Sequence, residues 1–201
     1  MSAKESKKFY RFCYRAIGPV LRFVRPFKVV GAENICEGAA IICANHSAMI
    51  DPFHIALSLD VDTQLHILGK IELFRIPIIS AILNKLGMIP VDRGTADAGS
   101  VKRSMYYLKK GEKIVIFPEG TRMSEHDATA AKTGAVKLAE RTRSPIIPVF
   151  IPRKKPAFRR SPIIFGEPYY IEKLSERRSA SDYARLSEEL MNKIQAMEGA
   201  L

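Results

Sequence analysis

From residue 9 onward the chain places apolar side chains at steps of three and four: Phe9, Phe12, Cys13, Ala16, Ile17, Val20, Leu21, Val24 and Phe27. That period marks one face of a helix. Lys4, Lys8, Arg11, Arg15 and Arg22 recur at similar steps and form a basic face. Gly18-Pro19 is predicted to kink this helix or split it in two, because proline lacks an N–H and crowds the preceding turn. Beyond residue 28 short apolar runs alternate with longer amphipathic ones. Strands are predicted at 39–44, 65–68, 88–91, 113–117, 146–151 and 163–165, and helices at 52–59, 76–86, 98–108 and 129–139. A last helix starts near Ser181, marked by Tyr183, Leu186, Leu190, Ile194 and Met197. The alternation implies an α/β fold, a largely parallel or mixed central sheet flanked by helices. The chain divides into an amphipathic segment, 1–28, and one domain, 29–201.

Charge sharpens the reading of the first segment. The 201 residues carry a net +11. Residues 1–28 hold eight bases against Glu5 alone, and Arg153, Lys154, Lys155, Arg159 and Arg160 form a second basic run without an acid. The rest is close to neutral. A basic amphipathic helix with aromatic residues on its apolar side has the composition of an interfacial membrane helix, attracted to anionic lipid. The alternative is a helix packed on its own domain with its bases solvated. The longest stretch free of Asp, Glu, Lys and Arg, Gly38–Ile50, is 13 residues, and about 18 are needed to span a bilayer. The N-terminus lacks the apolar core and cleavage site of a secretory signal. Cys13, Cys36 and Cys43 have no paired spacing and read as buried thiols of a reducing compartment. A peripheral or monotopic protein on the cytoplasmic face of a membrane is expected.

Three polar clusters directly follow strands: Asn45-His46, Asp92-Arg93 and Glu119-Gly120-Thr121-Arg122. In parallel sheets the carboxyl ends of the strands share one edge, where ligands bind. His46 and Asp51 suggest an imidazole base oriented by a carboxylate. In one continuous helix their side chains would stand roughly 140° apart, so His46 must lie in the turn before the helix. Asp51-Pro52 equally fits an N-cap followed by proline at the first helical position. His54 adds no metal set, since no Cys or Glu completes one at ligand spacing, and no metal is expected. In Phe117-Pro118-Glu119-Gly120-Thr121-Arg122, glycine permits close backbone approach to a ligand and arginine offers a fork of donors to phosphate.

Together these blocks resemble the 1-acyl-glycerol-3-phosphate (lysophosphatidate) acyltransferases of the glycerophospholipid acyltransferase superfamily. The family's Asn-His-x-x-x-x-Asp block matches Asn45, His46 and Asp51, and its strand-end arginine block matches Gly87 to Arg93. Its Phe-Pro-Glu-Gly-Thr-Arg block matches Phe117 to Arg122, its late proline block Ile146 to Val149, and its Lys-x-Glu-Leu segment Lys70 to Leu73. The resemblance implies acyl transfer from acyl-CoA or acyl-carrier protein, as donor substrate, to the sn-2 hydroxyl of lysophosphatidate, with no cofactor. It implies His46 as general base and Asp51 as its orienting carboxylate. Substrate binding would fall to Arg93, Glu119, Gly120, Thr121 and Arg122, with Lys70 a further phosphate contact. A different acceptor, glycerol-3-phosphate or another lysolipid, fits the same blocks. A nucleic-acid-binding module accounts for the charge but leaves Asn45–Asp51 and Phe117–Arg122 unexplained, so no nucleic acid is expected as partner.

Overall fold

The computed structural model describes residues 3–92, 97–119, 133–172, 174 and 178–200. Its strands are β1 (Phe27–Val30), β2 (Ala40–Ala44), β3 (Leu65–Lys70), β4 (Ile89–Val91), β5 (Lys113–Ile116), β6 (Ile146–Phe150) and β7 (Ser161–Phe165). The helices are α1 (Ala3–Val24), α2 (Asp51–Ser58), α3 (Pro77–Lys85), α4 (Ala98–Lys109), α5 (Gly134–Thr142) and α6 (Ala180–Ala196). The strands form one sheet in the order β1-β7-β6-β2-β5-β3-β4. β6, β2, β5, β3 and β4 run parallel. β7 is antiparallel to β6 and carries β1 parallel to itself, which makes the sheet mixed.

Period-two alternation within fully buried strands divides the core between two faces. Ile41, Cys43, Ile114, Ile146 and Phe150 pack with Leu108 of α4, Val136 and Leu138 of α5, and Leu190 and Ile194 of α6. Ala40, Ile42, Ala44, Val115, Ile147 and Val149 face the other way, toward Ile55 of α2 and Phe165 of β7. Both faces being covered, the central strands read as unbroken apolar runs. β2 and β6 are buried at every position.

The structure adds detail to the sequence reading at several points, and one expected helix falls partly beyond the described residues. α1 is not split: it is one helix of 22 residues with Pro19 inside it. Tertiary contacts hold it across the lost hydrogen bond. Gly18 lies so close to Leu57 that an added Cβ would come within 3.0 Å of its Cδ2. The Tyr14 hydroxyl donates to the Leu59 carbonyl (2.9 Å), and Arg22 donates to that of Leu57. β1 was not anticipated, because Phe27 continues the helical period and the strand has only four residues. The helix predicted from residue 129 is described from Gly134, and residues 129–132 lie outside the described residues. Of the three cysteines only Cys43 is fully buried, and burial pushes its thiol up.

Candidate active site

The parallel strands end on one edge, and the site is built from the residues that follow them. Asn45, directly after β2, is buried and engaged on both sides of its amide. Its Nδ2 donates to the Ile151 carbonyl (2.7 Å) and its Oδ1 accepts the Ile151 N–H (2.8 Å). It therefore fastens the turn after β2 to the turn after β6. Only a side chain with both donor and acceptor can do this.

His46 follows in that turn, and Asp51 is the first residue of α2. Asp51 Oδ2 receives the N–H groups of Ser47 and Ala48, both at 2.8 Å, and faces His46 Nδ1 at 3.1 Å. The carboxylate thus reaches back to the turn instead of capping its own helix, where no side-chain cap bond is present. This distinguishes the two meanings of Asp51-Pro52. Burial acts to raise the Asp51 pKa, but the hydrogen bonds from His46, Ala48 and Ser47, together with Lys155, outweigh it and hold the carboxyl at about 2. An ionised acceptor fixes the tautomer: Nδ1 carries the proton, and Nε2 is left with its lone pair. The ring is stacked on Phe117 (4.2 Å between centroids, 26° between planes), which sets its plane.

The other side of Asp51 was not foreseen. Its Oδ1 accepts no aligned hydrogen bond and instead meets the ammonium of Lys155 at 2.9 Å. Lys155 Nζ also donates to Ser47 Oγ (2.8 Å). Among the five bases of the second basic run, Arg153, Lys154, Arg159 and Arg160 are exposed, whereas the Lys155 side chain is only 4% exposed. In sequence nothing separates it from its basic neighbours. Glu119, after β5, accepts the backbone N–H of His46 (3.2 Å), and burial pushes its carboxyl up. His54, one turn beyond Asp51, is buried with its ring against Phe27 (5.2 Å) and takes no part in a metal set. Among the described residues no group of His, Cys, Asp and Glu has the geometry to hold a metal.

His46 and Phe117 line a cavity of about 690 Å³. Tyr10, Cys13, Ile17 and Leu21 of α1, Pro52 and Phe53 of α2, and Ile82 and Leu83 of α3 supply apolar walls. Lys70, at the end of β3, is also in the lining and is paired with Glu72 (3.2 Å). Val91, two residues before Arg93, stands in register with Lys70. Arg93, Gly120, Thr121 and Arg122 themselves lie outside the described residues.

The helices around the cavity are apolar on their outer sides as well. Phe12, Val20 and Phe23 of α1 are exposed, as are Ile78 and Ile79 of α3 and Phe158, whose ring meets Phe23 edge-on (5.8 Å). Arg22, expected on the basic face, instead bonds the domain and lies over the Phe27 ring (5.1 Å). Tyr10, Tyr14, Gly18 and Arg22 form the docked stripe, which leaves much of the apolar face uncovered. Among the described residues no helix is long and apolar enough to cross a membrane.

Comparison with known proteins agrees with this architecture. The chain is 30% identical over 198 residues to the 1-acyl-sn-glycerol-3-phosphate acyltransferase of Bacillus subtilis, covering 96% of this chain and 98% of that one. It is 37% identical over 125 residues to the enzyme of the same name from Borreliella burgdorferi, covering 60% of this chain and 49% of that one. The crystal structure of the 1-acyl-sn-glycerophosphate acyltransferase PlsC from Thermotoga maritima has the same fold, with a TM-score of 0.63 at 22% identity, covering 97% of this chain and 79% of that one. The family model for acyltransferases matches residues 26–152, from the start of the sheet to the turn after β6. By that match and those relatives, the chain is an enzyme belonging to the acyltransferase family.

Proposed function

We propose that the protein transfers an acyl group from a thioester, acyl-CoA or acyl-carrier protein, to the sn-2 hydroxyl of 1-acyl-glycerol-3-phosphate, giving phosphatidate. The observation that carries this reading is an imidazole with Nδ1 tied to a buried carboxylate and Nε2 unengaged among the described residues, beside an apolar cavity. His46 Nε2 takes the hydroxyl proton as the acceptor oxygen attacks the thioester carbonyl. The tetrahedral intermediate collapses, the C–S bond breaks, and the leaving thiolate takes the proton back from the imidazolium. Asp51 keeps the ring in its tautomer and stabilises the cation between the two steps. A positioned base of this kind contributes ~10²–10⁴ in rate. No acyl-enzyme is required.

On this reading the cavity takes an acyl chain, and the cations at the strand ends, Arg93, Arg122 and Lys70, take the phosphate, with Glu119 holding the turn that carries His46. The exposed apolar sides of α1 and α3 and the bases of α1 suit an anionic lipid surface, on the cytoplasmic face of the membrane. The acceptor then enters the cavity from the bilayer. The test is a transfer assay crossing lysophosphatidate, glycerol-3-phosphate and phosphate-free lysolipids with both donor types, read by mass spectrometry. Phosphatidate should dominate. Equal use of a phosphate-free lysolipid would overturn the assignment of the acceptor.

A further inference from the structure

An ammonium and a carboxylate buried together each lose their hydration, and such a pair is weak evidence for stability. An apolar pair of similar volume would hold the turns together as well. Lys155 and Asp51 are nevertheless buried as ions, 4% and 0% exposed at their side chains. Their contact lies on the carboxylate oxygen opposite the one that faces His46. The segment carrying Lys155 is anchored from outside the site. Arg25 donates to the Lys155 carbonyl, and the Phe158 N–H donates to the Val24 carbonyl at the end of α1 (2.9 Å).

We infer that Lys155 is a positioning residue of the transfer reaction: its buried ammonium fixes the Asp51 carboxylate and the Ser47 hydroxyl, and so sets both the orientation and the proton affinity of His46. The inference rests on the reading of His46 as the base. That base has to be neutral before the transfer and cationic during it. A buried carboxylate acting alone favours the cation. A cation on the far oxygen offsets part of this attraction, because like charges disfavour each other's charged forms. Asp51 can then orient the ring without saturating it. Lys155 does not meet substrate in this role, since Nζ is already engaged by Asp51 Oδ1 and Ser47 Oγ. The other ionisable groups around the pair are His54 of α2, Arg25 after α1, and Glu119 with Arg153 beside it. None of them contacts Asp51 Oδ1.

The experiment is the pH profile of kcat, at saturating donor and lysophosphatidate in vesicles, for the wild type, K155M and K155R. With the cation removed, the imidazolium is favoured and the acid limb of K155M should move up by about one pH unit. Turnover at neutral pH should fall about tenfold, while KM for both substrates stays close to wild type. K155R retains the charge and should keep the limb near its original place. An unmoved limb in K155M, or a raised KM for lysophosphatidate with kcat intact, would overturn the inference; the latter would make the ammonium a phosphate ligand. Should K155M fail to fold, D51N/K155M removes both buried charges. Its turnover should match that of D51N, and a further drop would show that Lys155 acts elsewhere. H46A separates the two failures. A folded H46A with normal turnover removes the base reading itself, whereas an inactive H46A beside an unmoved K155M limb removes only the role of Lys155.

Discussion

Among the described residues two histidines face a carboxylate, one at each edge of the sheet. At the carboxyl edge His46 meets Asp51 at 3.1 Å. At the amino edge His66 meets Glu112 at 2.7 Å. The second pair is the shorter and its imidazole the more deeply set, with His66 1% exposed against 13% for His46. It also has an aromatic partner, since the His66 ring is stacked on Tyr107 at 3.5 Å. What differs is the other nitrogen. His66 Nδ1 meets the Gly87 carbonyl at 2.7 Å, so both nitrogens are engaged. His46 Nε2 has no partner among the described residues, and the ring lines a cavity. A histidine–carboxylate pair is a base only when the second nitrogen is unengaged and faces room for a substrate; otherwise it is a buried polar staple. Glu112 fits the staple role, since it also reaches Lys7 of α1 at 3.5 Å.

The largest expected contrast is between the two histidines themselves. H46A should lower kcat by ~10² or more with an unchanged melting temperature. H66Q should leave kcat close to wild type and destabilise the fold by about 1–3 kcal/mol, the cost of unpaired buried polar groups, as read by denaturant unfolding. If H66Q lost turnover as severely as H46A while folded, the distinction drawn from the second nitrogen would fail.

Next in size is the hold on the acceptor at the carboxyl edge. R93A or R122A should each weaken acceptor use by ~1.5–3 kcal/mol in kcat/KM, the worth of a charged hydrogen bond, with donor KM much less affected. Equal loss toward donor and acceptor would remove the phosphate role from that edge.

The outer surface offers a third contrast, between the docked and uncovered stripes of α1. Replacing Phe12, Val20 and Phe23 with Asp should abolish sedimentation with anionic vesicles while sparing transfer to a water-soluble short-chain acceptor, because these three side chains are largely exposed and lie outside the cavity lining. Added salt should only reduce that binding, since charge attraction fades over roughly 10 Å at moderate ionic strength and apolar burial does not. Retained binding in the triple variant would shift the membrane contact to α3 or to Arg159 and Arg160. The smallest effect belongs to Lys7, half exposed. K7A should cost less than about 1 kcal/mol of stability and nothing in kcat. A larger cost in either would give the amino edge a role that its geometry does not support.

Legibility in the sequence followed the range of the interactions. The buried strands β2, β5 and β6 are apolar at nearly every position, and the helices between them keep a helical period, so element order and fold class could be read directly. The dyad was legible for a local reason: a strand ending at Ala44 forces His46 into a turn, within reach of a carboxylate five residues on. Of the two outcomes expected at Pro19, the helix is not split, since contacts from residues 57 and 59 outweigh one missing hydrogen bond. β1 was missed because four residues at a helix exit carry too few alternations to separate a period of 2 from one of 3.6.

Alone, then, the sequence determined the order of the elements, the helix-flanked sheet, and the meeting of His46 with Asp51, since each depends on neighbours a few residues away. Tertiary structure alone decided which lysine of a basic run is buried against Asp51, which of two histidines keeps a free nitrogen, and which side of α1 meets the domain. Those outcomes join residues 66 and 112, or 51 and 155, across the sheet. A side chain's type states what it can bond, but only the packed fold states which bonds are already made.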